Sequence, residues 1–463
     1  MMKRLAALLF LSFAVISCRT LPDSQSFTEG LTSNSTRGLP TIANAKGNLG
    51  HGQASRLVAQ RWAKASPDLK ALAVLEEQAT SQPLYAGNKV TLLFDGPATM
   101  KEMMAAARAA TTSINLETYI FDHDGVGGEF ADLLIEKQQQ GVTVNVLYDA
   151  VGTLTVPQAF FDRMRAGGVH LTAFNPVNPA ARKGKWEINN RDHRKLMIVD
   201  GKIAFTGGIN ISSTYANSSL FRSKQRAAQT ADESKIGWRD THVKIEGPAV
   251  SALQWSFVNN WVRQEAGDLP EQDYFPTLYA AGDKLVRVLA SDPGAGFEIY
   301  KSLLLAINES KKSIHITAAY FVPDQQTVDA LAAAARRGVD VKLVLPGVSD
   351  HGLVFHAGRN FYEPLLAAGV KIFQLQVAVL HAKTAVIDGA WSTIGSANID
   401  RRSFLHNYEL NVVIVDPGFG ADMESAFSED VRDSKEITHA AWQQRPWSDR
   451  IKEMAARLTE YWI

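Results

Sequence analysis

Apolar positions along this chain change period in a recurring order. "SINLETYIFDHDG" (113–125), "GVTVNVL" (141–147) and "AGGVHLTAF" (166–174) are rich in Val, Ile and Leu, as strands buried in a sheet are, and helical spacing fills the gaps between them. The order then returns. "SIHITAAYFVPDQ" (313–325), "GVDVKLVL" (338–345) and "AAGVKIFQL" (367–375) match the first set, allowing a one-residue slip in the first pair. Each half reads strand, helix, strand, helix, strand. The pattern predicts an α/β fold of two related α/β/α halves, with mixed, mostly parallel sheets packed about a pseudo-twofold axis.

Each half closes on nearly the same string: "HRKLMIVDGKIAFTGGIN" (193–210) and "HAKTAVIDGAWSTIGSAN" (381–398). Side chains alternate along a strand, so His193 and Lys195 share a face, as do His381 and Lys383. Asp200 and Asp388 lie an odd number of positions further on and point away. Each precedes a glycine (Gly201, Gly389), and Asp-Gly between β-branched runs is a tight-hairpin signal. Both aspartates are therefore read as structural. The returning strands bring Asn210 and Asn398 back toward their own His-Lys pairs, with Gly207 and Gly395 permitting close approach. One His-x-Lys would be an accident of the surface; two matched sets inside a wider repeat are a site.

If the halves meet at these strands, one cleft receives two imidazoles, two ammonium groups and two amides. That set suits a phosphodiester: lysines and asparagines bind the phosphoryl oxygens, one histidine attacks phosphorus, and the other moves the proton of the alcohol. No metal or other cofactor is required, and no carboxylate cluster has metal-ligand spacing. Each imidazole also needs an orienting acceptor. Aligning "RDTHVKIEG" (239–247) with "YELNVVIVD" (408–416) pairs Asp240 with Glu409 as candidates.

These residues resemble the phospholipase D superfamily, whose signature is a duplicated His-x-Lys-x4-Asp motif; the likeness covers roughly residues 85–460. "LETYIFDHDG", "WRDTHVKIEGPAV", "YFVPD", "RRGVDVKLVLPGVSDH" and "GSANIDRRSFLHNYELN" narrow it to bacterial cardiolipin synthases. The resemblance implies transfer between two phosphatidylglycerols, giving cardiolipin and glycerol through a phosphatidyl-histidine. It implies His193 as nucleophile, His381 as acid/base, Lys195, Asn210, Lys383 and Asn398 as phosphate ligands, and an acidic partner for histidine at Asp240 and Glu409. "GGIN" departs from the more usual Gly-Ser of the first motif, which removes a hydroxyl expected near the phosphate. A hydrolytic phospholipase D, in which water resolves the intermediate, is the alternative. A nuclease is disfavoured: the 463 residues carry 48 basic and 48 acidic side chains, and no Lys/Arg-rich run stands out. No nucleic-acid partner is expected.

The start, "MMKRLAALLFLSFAVISC", has a charged n-region and a twelve-residue apolar run, too short to span a bilayer. "VISC" resembles a bacterial lipobox, which makes Cys18, the lone cysteine, a lipidation site. By the same resemblance, Arg19 in place of an aspartate after it implies the outer membrane, facing the periplasm, where the phospholipid substrate would be met. The expected organisation is a signal peptide (1–17), a lipidated tether and N-terminal helix (18–84), the first half (85–265), a linker (266–284) and the second half with a C-terminal helix (285–463). The tether, 19–52, reads as flexible, and 54–80 has helical spacing. The first half also carries an insert: Gly168 to His193 spans 25 positions, against 12 from Gly369 to His381. Its Arg182, Lys183, Lys185 and Trp186 are candidate contacts with the lipid interface.

Overall fold

The computed structural model describes residues 20–24, 27, 38–62, 68–178, 187, 189–216, 237–264 and 267–458. Two short strands, β1 (Ile42–Asn44) and β2 (Gly47–Asn48), and two helices, α1 (His51–Arg61) and α2 (Asp68–Thr80), come first. The first half follows: β3 (Leu84–Leu93), α3 (Gly96–Ala109), β4 (Ser113–Thr118), α4 (Gly125–Gln139), β5 (Thr143–Asp149), α5 (Gln158–Ala166) and β6 (His170–Phe174). Then come β7 (Arg191–Asp192), β8 (Leu196–Val199), β9 (Ile203–Gly207), β10 (Trp238–Arg239), β11 (His242–Glu246) and α6 (Ala249–Arg263).

The second half repeats this order. It runs β12 (Lys284–Ser291), α7 (Glu298–Glu309), β13 (Ser313–Ala318), β14 (Phe321–Val322), α8 (Gln325–Arg336), β15 (Asp340–Pro346), α9 (Gly352–Arg359), α10 (Tyr362–Ala367) and β16 (Lys371–Leu375). It continues with β17 (Val379–Leu380), β18 (Lys383–Ile387), β19 (Trp391–Gly395), β20 (Ile399–Asp400), α11 (Arg401–Leu405) and β21 (Asn407–Val415). The described chain ends with α12 (Pro417–Arg432), β22 (Ser434–Ile437), α13 (His439–Gln443) and α14 (Trp447–Arg457).

In the first half the hydrogen-bonded order is β6-β5-β4-β8-β9-β11-β3, and in the second β16-β15-β13-β18-β19-β21-β12. The three strands joined by helical crossovers are parallel, and those joined by hairpins are antiparallel, as connection length requires. The fold is thus mixed α/β and duplicated. Asp124 caps α4 by accepting from Gly127 N, and Asp324, 200 positions later, caps α8 by accepting from Thr327 and Gln326 N.

The halves are joined by more than a linker. β12 pairs antiparallel with β3 (Val286 opposite Tyr85), so the sheets are continuous. One apolar cluster draws Leu147, Ile198 and Val243 from the first half and Val286, Ile394 and Val412 from the second. Each fully buried side chain of this kind contributes about 1.5–3 kcal/mol. That core fixes the two His-Lys strands relative to each other.

The stretch 19–52, read as a flexible tether, is body from residue 38 onward. β1 lies parallel to β3, with Ile42 opposite Leu84, because the edge of the sheet offers Ile42 a buried place. Earlier still, Ser24 N donates to Gln326 Oε1 at 2.6 Å, and Gln326 Nε2 donates to Pro22 O at 3.1 Å. The single helical segment expected over 54–80 is two helices. α2 carries a buried Glu76 that accepts from Arg287, from Trp391 Nε1 (2.8 Å) and from Ser302 Oγ (2.5 Å). All three partners belong to the second half, so the N-terminal helices pack there.

Candidate active site

The turn of each hairpin shows why an aspartate stands there. Asp200 and Gly201 have φ of 53° and 62°, and Asp388 and Gly389 have 52° and 65°. Two successive positive φ values are what a type I′ hairpin turn requires, and Asp-Gly adopts them at little cost. The Asp200 carboxylate accepts from the backbone N of Thr111, Thr112 and Ser113 at 2.7–3.0 Å, and Asp388 accepts from Lys311, Lys312 and Ser313 N. Each aspartate pins its turn to the start of the neighbouring strand, at the end of β8 or β18 away from the imidazoles.

The two histidines follow β7 and β17. Those short strands do not pair within their own halves. β7 runs parallel to β21, and His193 N donates to Tyr408 O at 2.9 Å. β17 runs parallel to β10, and His381 N donates to Arg239 O at 2.8 Å. The residue after each acceptor is the carboxylate. His193 Nδ1 therefore lies 3.1 Å from both oxygens of Glu409, and His381 Nδ1 lies 2.7 Å from Asp240 Oδ2. Each histidine is oriented by the acid of the other half.

A carboxylate accepts, which assigns the proton to Nδ1 and the lone pair to Nε2 of each ring; at His381 the Lys383 Nζ also stands 2.9 Å from Nδ1, competing with Asp240 for it. Burial lowers the His193 imidazole to about 4, with Glu409 opposing the shift, and burial together with the Lys383 and Lys195 ammonium groups holds His381 well below its ordinary value. Burial would raise Glu409, but His193, Lys195 and the Ser396 hydroxyl outweigh it and hold it at about 2. Asp240 has less help: burial raises it to about 6 against Lys383 and the Thr241 N–H. Burial also lowers Lys195 to about 7 and Lys383 to about 8. With both imidazoles neutral, the two lysines stand against the two acids with little net charge, and it is the lysine ammonium groups that an entering phosphodiester anion would meet.

The lysines sit beneath the imidazoles. Lys195 Nζ donates to His193 O at 2.6 Å, and Lys383 Nζ donates to His381 O at 2.5 Å. Lys195 also stands 5.2 Å from the centre of the Tyr119 ring. Asn210 accepts from Ile120 N through Oδ1 (3.1 Å) and donates to Tyr215 OH (2.9 Å), which fixes its amide. His193, Asn210, His381 and Asn398 all line one cavity of about 340 Å³. Its walls are Tyr119, Tyr215, Trp238 and Tyr320, with Arg191, Arg402, Asp350 and Asp400 at its polar parts. These the sequence reading missed. The one-residue slip between the repeats was a signal, since it superposes Tyr119 on Tyr320.

The missing hydroxyl of "GGIN" also finds its place. Ser396, the counterpart of Gly208, is buried and donates to Glu409 Oε2 at 2.5 Å, so this serine serves the carboxylate and not the phosphate site. At Gly208 an added Cβ would stand 2.2 Å from Asp240 Oδ1. The expectation of a lost phosphate contact is corrected: Gly208 makes room for Asp240. Behind His193, Arg194 donates to Glu409 O (3.3 Å) and Asp292 Oδ1 (2.7 Å), and Asn260 donates to Glu117 (2.6 Å), a buried network that holds the β7 end rigid. Arg182, Lys183, Lys185, Trp186 and Cys18 lie outside the described residues.

A family profile described as "Cardiolipin synthase, PLD-like domain" matches residues 102–220 and 303–431. The cardiolipin synthase of Geobacillus kaustophilus is 35% identical over 397 residues, covering 85% of this chain and 76% of that protein. Cardiolipin synthase 1 of Bacillus cereus is 35% identical over 379 residues, 79% of this chain and 71% of its own. Among solved structures, a phosphatidylserine synthase of Haemophilus influenzae superposes with a TM-score of 0.64 at 15% identity, covering 84% of this chain and 99% of that one. At that identity the likeness speaks for the fold.

Proposed function

The chain belongs to the cardiolipin synthase family with phospholipase D-like domains, and from that premise we propose that it is a phosphatidyltransferase joining two phosphatidylglycerols into cardiolipin. One observation carries the chemistry: two histidines, each with its Nδ1 on a carboxylate of the opposite half, face one cavity.

In this reading His193 Nε2 attacks the phosphorus of the first lipid. The N–P bond forms as the P–O bond to glycerol breaks, and His381 gives its proton to the departing alcohol oxygen. His381 rests neutral with Nε2 bare; the incoming phosphodiester anion raises its proton affinity, and Nε2 takes up from solvent the proton it then gives to the alcohol. Lys195, Lys383, Asn210 and Asn398 hold the phosphoryl oxygens, where charge shifts during in-line displacement. His381 then takes the proton of a hydroxyl on the second phosphatidylglycerol, whose oxygen displaces His193 from phosphorus. Glu409 and Asp240 keep both rings in the required tautomer.

The membrane association follows from the start of the chain. Cys18 as a lipidated N-terminus would place acyl chains only a few residues before Pro22 and Ser24, which rest on Gln326. That anchor would hold the body close to the bilayer, in the periplasmic face of the outer membrane by the Arg19 argument. The working halves remain 85–265 and 285–463, with 266–284 between them.

The test is expression of the full chain in bacterial cells that lack cardiolipin, with lipids identified by mass spectrometry. Cardiolipin that disappears with His193→Ala supports transfer. Phosphatidic acid alone means water resolves the intermediate, and unchanged lipids reject both lipid reactions.

A further inference from the structure

The last described helix is amphipathic the wrong way round. α14 buries Glu453 (2% exposed) and Ala456 against the body and turns Trp447 (74%), Ile451, Met454 (66%) and Leu458 (87%) outward. Spacings of four, three and four put these four on one stripe. The inward face is held by charge: Arg359 of α9 donates to Glu453 (2.8 Å) and Asp449 (3.3 Å), Arg445 donates to Glu453 (3.0 Å), and Asn360 Nδ2 donates to Glu453 O (2.8 Å). Using up Asp449 and Glu453 this way leaves Arg450, Lys452 and Arg457 as the outward charges. On the helical wheel Arg450 and Arg457 border one side of the stripe, whereas Lys452 lies about 100° beyond its other edge.

The helix is also tied to the cavity. It packs on α9, whose Val354 and preceding His351 line the cavity, while Leu353 between them is 52% exposed. Arg359, the α14 anchor, ends that helix, about 12 Å from His351 by helical rise. An 11-residue helix is too short to cross a bilayer, and no helix among the described residues is long and apolar enough to do so. It can lie in one.

We propose that α14 and Leu353 form a docking surface for a bilayer containing anionic phospholipid, seating the four apolar side chains among the acyl chains and Arg450 and Arg457 on the phosphates. Amphipathic helices with basic flanks and an aromatic at headgroup depth bind membranes this way. The proposal extends the lipid-transfer reading: docking at α14 would hold α9, and with it the cavity residues His351 and Val354, close to the bilayer that carries the substrate.

The test uses the full chain reconstituted in vesicles of equal parts phosphatidylglycerol and phosphatidylcholine, compared with phosphatidylcholine alone. Backbone hydrogen exchange over 447–458 should slow by about tenfold or more on the anionic vesicles. The variant Trp447→Ser/Ile451→Ser/Met454→Ser/Leu458→Ser should lose that protection. It should lose about tenfold in turnover of vesicle-borne phosphatidylglycerol, and keep turnover of dispersed dihexanoyl phosphatidylglycerol. If the serine variant fails to fold, Arg450→Glu/Arg457→Glu gives the same two readouts. Unchanged exchange on anionic vesicles overturns the proposal. So does protection that depends on protein concentration without vesicles, which would make the occupant a second copy. Protection without turnover of either lipid by the parent chain supports the surface and rejects the transferase reading.

Discussion

The imidazole Nδ1 of His193 lies 3.1 Å from the carboxylate of Glu409, a residue 216 positions away in the other half of the chain. His381 and Asp240 repeat the relationship in reverse, 141 positions apart. Neither half alone holds a complete histidine–acid pair. The duplication is therefore functional at the level of the whole chain.

Removing either acid should leave a folded protein with misoriented imidazole. Glu409→Gln and Asp240→Asn are each expected to lower kcat by about 10²–10⁴. Their pH profiles should differ. Asp240, raised to about 6 by burial, places an acid limb near that pH in the parent, belonging to the Asp240–His381 pair; Glu409, at about 2, adds none in the working range. Steady-state rates between pH 5 and 8 should show the limb weakened in Asp240→Asn and kept in Glu409→Gln. A limb unchanged in Asp240→Asn assigns it elsewhere.

Gly208 and Ser396 hold equivalent places with opposite demands. Gly208→Ser would drive a side chain into Asp240, since its Cβ falls 2.2 Å from Oδ1. Displacing Asp240 from His381 by an ångström is expected to cost about 10² in kcat with little change in the far-ultraviolet spectrum. Ser396→Ala removes a donor from Glu409 and an acceptor from Leu410 N (2.9 Å) without displacing either, and should cost less, about tenfold. A fully active Gly208→Ser enzyme would show that Asp240 does not position His381.

Much of this was legible in the sequence, and what was not has a common cause. His193, Lys195, Asn210 and their counterparts stood out because hairpin geometry is local: a period of two, an Asp-Gly turn, a return of known length. Asp240 and Glu409 emerged from repeat alignment as equivalent residues, but alignment is silent on which histidine each serves. That depends on β7 lying beside β21 and β10 beside β17, pairings set by the docking of two apolar faces. The role of Ser396 was hidden for the same reason. Its hydroxyl points at a carboxylate 13 positions later, across the β19–β21 ladder. The body-forming part of the supposed tether was obscured because a short, polar stretch becomes strand only where a sheet edge is offered to it.

The lysines give a stability signature. Burial lowers Lys195 to about 7 and Lys383 to about 8, while the unfolded chain holds its lysine protons up to about 10.4. Between these values the unfolded state binds more protons, so stability rises with pH from about 7 toward 10. Melting temperature measured at pH 7 and pH 9 should increase in the parent chain. In Lys195→Met the increase should shrink, and in Lys195→Met/Lys383→Met it should shrink further. A rise of equal size in the double variant would place its origin outside the cleft.

Asp200 and Asp388 offer the opposite dissociation, stability without chemistry. Although burial pulls the Asp200 carboxyl upward, the N–H groups of Thr112, Ser113 and Thr111 hold it below the ordinary aspartate value. A lowered folded value means its stabilisation is present above the unfolded value and is lost as pH falls through the folded one. Asp200→Asn and Asp388→Asn keep the size of the side chain but lose its charge, and each is expected to cost about 1–3 kcal/mol. Denaturant unfolding should show the gap between parent and Asp200→Asn narrowing toward pH 3. At 25 °C the folded fraction of each variant should keep rates within about twofold, because the turn lies at the far end of β8 and β18 from the imidazoles. Loss of turnover in fully folded Asp200→Asn would instead mean that the motif aspartate takes part in the reaction.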